Sequence, residues 1–210
     1  MRITVFGAAG NVGRRVVTEA LSRGHEVTAV VRDPSRAHGL GADVRAGDAS
    51  DARDVARLSA GQDVVITATR PAPGREGELT AVTRALLAGL AGTGVRLLVV
   101  GGAGSLTVPG TGGVTVVDAP DFPPSWRPIA QACGEQLAAC RADTDVDWAY
   151  LSPAALLEPG ERTGAYRLGA DELLVDADGT SRISMEDLAV ALLDEAERPK
   201  HHRTRFTAAY

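Results

Sequence analysis

The sequence predicts an α/β fold built on a doubly wound parallel sheet, and three observations carry the prediction. Short apolar runs alternate along the chain with helix-patterned segments. The runs are continuous, as suits parallel strands covered on both faces. The first of them ends in a glycine-spaced turn that opens a helix, and such sheets take ligands at the carboxyl ends of their strands. The alternation implies right-handed crossovers. With 210 residues the chain is long enough for one sizeable core and short for two, so a single domain over 1–210 is expected.

The first strand begins at residue 2 and includes Ile3-Thr4-Val5-Phe6. Gly7-Ala8-Ala9-Gly10-Asn11-Val12-Gly13 follows, and a helix over 12–23 carries Val12, Val16, Val17, Ala20 and Leu21 on one face. Gly24 closes it before a second strand, 27–31, and a short third at 43–46. A helix near 50–59, a fourth strand at 63–67, a helix near 78–91 and a fifth strand at 96–100 continue the alternation. Between Leu106 and Pro124 the chain is rich in Gly, Pro and Asp, which reads as a loop over the active face with one β-patterned piece at 114–117. A helix over 127–141 and a sixth strand at 147–151 follow. Beyond them the pattern breaks into strand-like pieces at 164–168 and 172–175, a helix opened by Ser184-Met185-Glu186-Asp187, and a last strand at 204–207. Ser184 with Asp187 resembles a capping box with the shorter carboxylate.

The glycines at 7, 10 and 13 have a chemical rationale. A pyrophosphate must approach bare backbone N–H groups at the positive end of a helix, and a side chain on the turn would hold it away. Gly7, Ala9, Gly10, Asn11, Val12 and Gly13 are therefore candidate cofactor-binding residues, with the pyrophosphate on 9–12. Their spacing is GxxGxxG, and the strand before and helix after give the pattern its weight.

Arg32 ends the second strand, about 20 residues past the glycines, where an NAD-specific site usually carries Asp or Glu for the ribose hydroxyls. Its planar fork can clamp a 2′-phosphate that a carboxylate would repel. NADP(H) is thus preferred, with NAD(H) left open because Asp33 is able to turn towards a ribose hydroxyl or to serve the turn before Pro34. Asp48 sits where related folds place a carboxylate beside the adenine amino group, and reads equally as a helix cap.

Later strand ends add Ala68, Thr69 and Arg70, then Gly102 and Ser105, then Ser152 and Pro153. Arg70 faces either the pyrophosphate or an anionic acceptor, or is a solvated loop charge. Ser105 reads as a hydrogen-bonding group for the nicotinamide carboxamide or the acceptor, or as a loop cap. Tyr150 and Tyr166 read as proton donors or as packing residues with hydroxyls at the rim. Ser105 and Tyr166 are the candidate catalytic residues.

The net charge of −5, without a basic stripe, argues against nucleic acid as partner. No apolar run reaches the roughly 20 residues that span a bilayer, and a strand starting at residue 2 leaves no room for a signal peptide. A cytoplasmic protein without membrane contact is expected. Cys133 and Cys140, seven apart in one helix, stand about 10 Å apart by helical rise, too far for a disulfide. Neither they nor the four histidines form a metal-ligand pattern.

Residues 7–13, Val30-Val31-Arg32, Gly47-Asp48, 99–106, 148–154 and 162–167 together resemble an atypical short-chain dehydrogenase/reductase of the NAD(P)H-binding, NmrA-like group. Over nearly its whole length the chain is similar to the candidate NADH-flavin reductases and to biliverdin reductase B. The resemblance implies a Rossmann-like domain with a cofactor-binding core at 1–150 and a small pocket-shaping, substrate-side segment at 151–210. It places the nicotinamide near Ser105 and Ser152-Pro153. The Tyr-x-x-x-Lys pair of ordinary short-chain dehydrogenases is missing: Lys200 is the sole lysine, and the helix over 127–141 has no tyrosine. Reduction of a flavin or quinone needs that pair less, because the ring is already electron-poor and protons come from water. The expectation is NADPH-dependent reduction of a small-molecule acceptor, with FMN or another flavin as a possible substrate, by a monomer or homodimer. A redox-sensing NADP(H)-binding regulator without turnover is the alternative, and an isomerase or epimerase that keeps its cofactor is the weakest reading.

Overall fold

Strands with uninterrupted apolar runs need cover on both faces, and the helices between them supply it. The computed structural model describes residues 1–210, the side chain of Arg36 excepted. In chain order it runs β1 (Arg2–Phe6), α1 (Asn11–Ser22), β2 (Glu26–Val31), β3 (Asp43–Ala46), α2 (Ala52–Ser59), β4 (Val64–Thr67), α3 (Glu78–Leu90) and β5 (Arg96–Val100). Then come α4 (Arg127–Arg141), β6 (Trp148–Pro153), β7 (Leu156–Glu158), β8 (Arg167–Gly169), β9 (Arg182–Ser184), α5 (Met185–Glu197) and β10 (Thr204–Ala209). Eight strands form one sheet in the order β3-β2-β1-β4-β5-β6-β10-β8, and β7 pairs with β9 apart from it. Neighbours in the large sheet are parallel except β8, which runs antiparallel to β10. This is the expected Rossmann-like, doubly wound α/β domain, with the strand order reversing between β1 and β4.

The core lies on both sides of the sheet. Val5, Leu151 and Phe206 meet Val16, Val17, Leu188 and Leu192 of α1 and α5 on one side. Phe6, Val99, Trp148 and Tyr150 meet Val55, Leu86 and Leu137 of α2, α3 and α4 on the other. Each such side chain contributes roughly 1.5–3 kcal/mol by leaving water. At the amino edge of the sheet, the buried Arg96 donates to the Glu195 carboxylate at 2.7 Å and to the Glu195 carbonyl at 2.9 Å, tying β5 to the end of α5.

Four expectations need correction. Residues 114–117 are not a strand: Thr115 makes a single bridge to Thr107 and a 3₁₀ turn over Val116–Asp118 follows. Gly110, Gly112 and Gly113, all at positive φ, curl the chain back too tightly for a ladder. Residues 172–175 are not a strand either, since β8 already occupies the edge of β10 and only Glu172 bridges, to Thr107. The strand expected at 164–168 is confined to β8. The sixth strand runs two residues past 151, because β10 pairs with it through Ser152 and Pro153.

Candidate active site

The three glycines of the first turn do three different jobs. Gly7 has φ +77°, the left-handed region that favours glycine, and a Cβ there would stand 2.7 Å from the Ala68 carbonyl oxygen at the end of β4. At Gly13 a Cβ would lie 2.1 Å from the Gly7 carbonyl oxygen, so this glycine brings α1 down onto β1. Gly10 has an ordinary φ of −72°, and a Cβ would meet only Gly7 O at 3.2 Å and Ala68 O at 3.9 Å. It is exposed, and it is the N-cap of α1 with no side-chain cap. The first-turn N–H groups of a twelve-residue helix thus face outward without a capping side chain, beside Ala9, Asn11 and Val12. This cradle fits a pyrophosphate. Arg15 stands behind it, donating to the Asn11 carbonyl at 2.7 Å and to Glu186 at 2.5 Å.

Arg32 is exposed at the end of β2. The neighbouring Asp33 carboxylate accepts from Ser35 N at 3.0 Å and Ser35 Oγ at 2.7 Å, capping the 3₁₀ turn Pro34–Ala37. That is the turn role read from its place before Pro34. Asp48 behaves similarly: its Oδ1 accepts from Ser50 N at 2.9 Å and Ser50 Oγ at 2.8 Å, while Asp51 caps α2. Ala68 lies beneath Gly7, Thr69 Oγ1 lies 3.0 Å from Thr67 Oγ1, and Arg70 is exposed at the mouth of the strand ends.

Several expected contacts are not brought together. The Gly102 amide donates inward to the Tyr150 hydroxyl at 3.3 Å, and a Cβ at Gly102 would strike Cys133 Sγ at 2.9 Å, so this residue packs the loop on α4. Ser152 is 0% exposed and Pro153 is buried with it, because β10 pairs with both at the end of β6; neither offers an exposed surface to a ligand. Tyr150 is no rim hydroxyl: it is fully buried, donates to the Cys133 carbonyl at 2.8 Å, and is pushed well above the usual tyrosine range by burial. Tyr166 donates to Asp194 at 2.6 Å, and Asp194 also pairs Arg23 at the carboxyl end of α1. Its hydroxyl is therefore held at the far ends of α1 and α5, away from the cradle at their amino ends. Burial, with the Asp194 hydrogen bond, raises its pKa. The assignment of Tyr166 as a catalytic acid does not match this position.

Ser105 is half-buried in the loop after β5. Its hydroxyl and carbonyl oxygens both accept from Arg205 Nη1, at 2.9 and 3.2 Å. Arg205 and its carboxylate partner Asp171 are the residues that sequence reasoning missed. The available signal was a charge at an alternating, inward position of the last strand, beside Phe206, where burial demands a partner. Burial pushes the Cys133 and Cys140 thiols up, to about 11 and about 12, which disfavours the reactive thiolate.

Comparison with known proteins agrees with this geometry. A family model described as NAD(P)H-binding matches residues 7–196. The uncharacterized protein YwnB of Bacillus subtilis (strain 168) is 40% identical over 211 residues, spanning 99% of this chain and 97% of YwnB. A candidate NADH-flavin reductase of known structure from Streptococcus pneumoniae TIGR4 is similar with a TM-score of 0.90 at 34% identity, covering 100% of this chain and 99% of that one. A candidate epimerase from Bacteroides thetaiotaomicron is similar with a TM-score of 0.90 at 41% identity, over 100% and 96% of the two chains. No helix among the described residues is long and apolar enough to cross a membrane.

Proposed function

The chain belongs to the NAD(P)H-binding family, and on that premise we propose that it is an NADPH-dependent reductase of a flat, electron-poor ring, a flavin or a quinone. The names of its relatives point two ways, to flavin reduction and to epimerisation. One observation favours reduction: all three tyrosine hydroxyls are engaged internally. Tyr150 is held by Cys133 and Gly102, Tyr166 by Asp194, and Tyr210 by Asp187 and Ser184. The sole lysine, Lys200, follows α5 at the opposite edge of the sheet. An epimerase needs a positioned acid–base group at its substrate carbon. A ring that accepts hydride and takes protons from water does not.

In this reading the amides of 9–12 hold the pyrophosphate, Arg32 binds the 2′-phosphate, and Ser105 orients the reacting end. Bound nicotinamide supplies the hydride. Stopped-flow absorbance at the reduced nicotinamide band, against FMN, riboflavin, quinones and aldehydes, is expected to show oxidation by flavin or quinone. Preference for an aldehyde would overturn the assignment. Tight NADPH binding with no turnover would replace it with the redox-sensing regulator.

Two further outcomes are expected. Arg32→Glu should weaken NADPH binding by about 1.5–3 kcal/mol, typical of a lost charge-assisted contact, with less effect on NADH. Calorimetry showing that the wild-type protein prefers NADH would transfer the ribose contact to Asp33. Ser105→Ala, Tyr150→Phe and Tyr166→Phe should each lower turnover at saturating NADPH by less than about 100-fold, the lower bound for loss of an oriented general acid. A larger fall for any one of them would indicate a carbonyl reductase with an unconventional proton donor.

A further inference from the structure

Arg205 stands near the start of β10, between β6 and the edge strand β8, with its side chain only 4% exposed. Burying a cation there is costly unless every arm is satisfied. Nε donates to Asp171 Oδ1 at 2.9 Å and Nη2 donates to the same oxygen. The remaining arm, Nη1, is aimed at Ser105, reaching Oγ at 2.9 Å and the carbonyl at 3.2 Å. Asp171 fastens the loop as well, its carbonyl accepting from Thr107 N at 2.9 Å. The arginine and the serine-bearing loop are thus held by one residue.

A guanidinium has donors and no acceptor, so at this contact Ser105 Oγ accepts. Its single hydrogen must point elsewhere, and no described group takes it. The next register pair along the same face, Ser152 and Thr207, carries two buried hydroxyls without partners, so the polar surface continues from Arg205 towards the strand ends. A cation against the oxygen also makes the serine a stronger donor to any atom that gains negative charge.

We propose that Arg205 is a positioning residue that acts through Ser105, fixing its hydroxyl as a one-way hydrogen-bond donor to the nicotinamide carboxamide or the reduced acceptor. The proposal rests on the reading that Ser105 meets the cofactor or acceptor. It assigns the pair a role that a tyrosine beside a lysine fills elsewhere, except that the hydroxyl orients and transfers no proton.

The test is a double-mutant cycle on Ser105→Ala and Arg205→Met, read in two ways. One readout is turnover with FMN. The other, independent of turnover, is the ratio of NADP⁺ to NADPH affinity by calorimetry, since a hydroxyl whose hydrogen the cation aims at the ring discriminates between its charged and neutral forms. Each single variant should lower turnover about tenfold, the loss of one charge-assisted hydrogen bond. The double variant should lose no more than either, and both singles should shift the affinity ratio. Arg205→Lys should recover part of both losses, and in the Ser105→Ala background it should change nothing, which keeps the test informative if Arg205→Met does not fold. Multiplicative losses, or equal weakening of both cofactor forms, would make Arg205 a structural residue and overturn the proposal. If Ser105→Ala alters neither turnover nor the ratio while Arg205→Met does, the placement of Ser105 fails, and the proposal with it. An effect of Ser105→Ala without one of Arg205→Met would overturn the proposal and leave that placement standing.

Discussion

Gly13→Val should fail to fold, whereas Gly10→Val should fold and lose the dinucleotide. The nearest atoms to a Cβ at Gly13 are Gly7 O at 2.1 Å, Gly7 C at 2.8 Å and Ala8 Cα at 3.0 Å, all backbone. No side-chain rotation relieves such a clash, so α1 must lift from β1 and take Val16, Val17 and Ala20, all fully buried, out of the core. Overpacking alone costs about 1–3 kcal/mol. The displaced side chains raise the total to roughly 5 kcal/mol, comparable to the whole stability of many domains. At Gly10 the contact is 3.2 Å to one carbonyl oxygen and φ is −72°, so valine is accommodated once that carbonyl gives by a few tenths of an ångström, at a cost of about 1–2 kcal/mol. Its side chain then occupies the space into which the first-turn amides of α1 point. Affinity for NADPH should fall on the order of 100-fold, or about 2.7 kcal/mol. Circular dichroism and calorimetry on both variants check this. A well-folded Gly13→Val, or a Gly10→Val that binds as wild type does, would show that the roles of the glycines have been misassigned.

The contrast shows which kinds of information a linear sequence carries. Glycine spacing encodes a backbone constraint between residues six apart, so the turn and helix opening were legible. The apolar runs encode two-faced burial, and β1 to β5 follow them within a residue or two. β7 and β9 were not legible, because three-residue strands are too short to show a period. The failures at the site have one cause. Whether Ser152 ends a strand in the cleft or lies inside it depends on β10 pairing with it from more than fifty residues away. The Arg205–Ser105 contact spans 100 residues, and Tyr166 is drawn to Asp194 across 28. Local pattern reports local geometry, and these side chains are oriented by partners that no window along the chain contains.

The segment that follows β7 is held over α1 and α5 by another such partner, and its removal should have the second large effect. Asp187 is 0% exposed. One of its oxygens accepts from Thr163 Oγ1 at 2.5 Å, Thr163 N at 3.2 Å and Tyr210 Oη at 2.7 Å, and the other accepts from Gly164 N at 2.8 Å. Asp187→Ala leaves two backbone N–H groups without an acceptor, each worth about 1–3 kcal/mol, so a loss of roughly 3–4 kcal/mol is expected in urea denaturation at pH 7. Asp187→Asn preserves the shape but presents an N–H₂ group to donors, and should lose roughly 2 kcal/mol. The pH dependence has a definite sign. Burial raises the Asp187 pKa, but the hydrogen bonds from Thr163, Gly164 and Tyr210 outweigh it and hold the carboxyl below its usual value. A group whose folded pKa is depressed stabilises the fold fully above its unfolded pKa, near 3.9, and loses that contribution as pH falls through the folded value. The stability gap between the wild-type protein and Asp187→Asn should therefore be flat from pH 7 to about 5 and close below about pH 4. Comparing the two proteins isolates this carboxylate, because Glu19 and Glu195 titrate in both. A gap that widens towards acid would mean that Asp187 is protonated in the native protein and donates its one hydrogen to the Thr163 or the Tyr210 hydroxyl. The segment would then be anchored by Arg162 on Glu19.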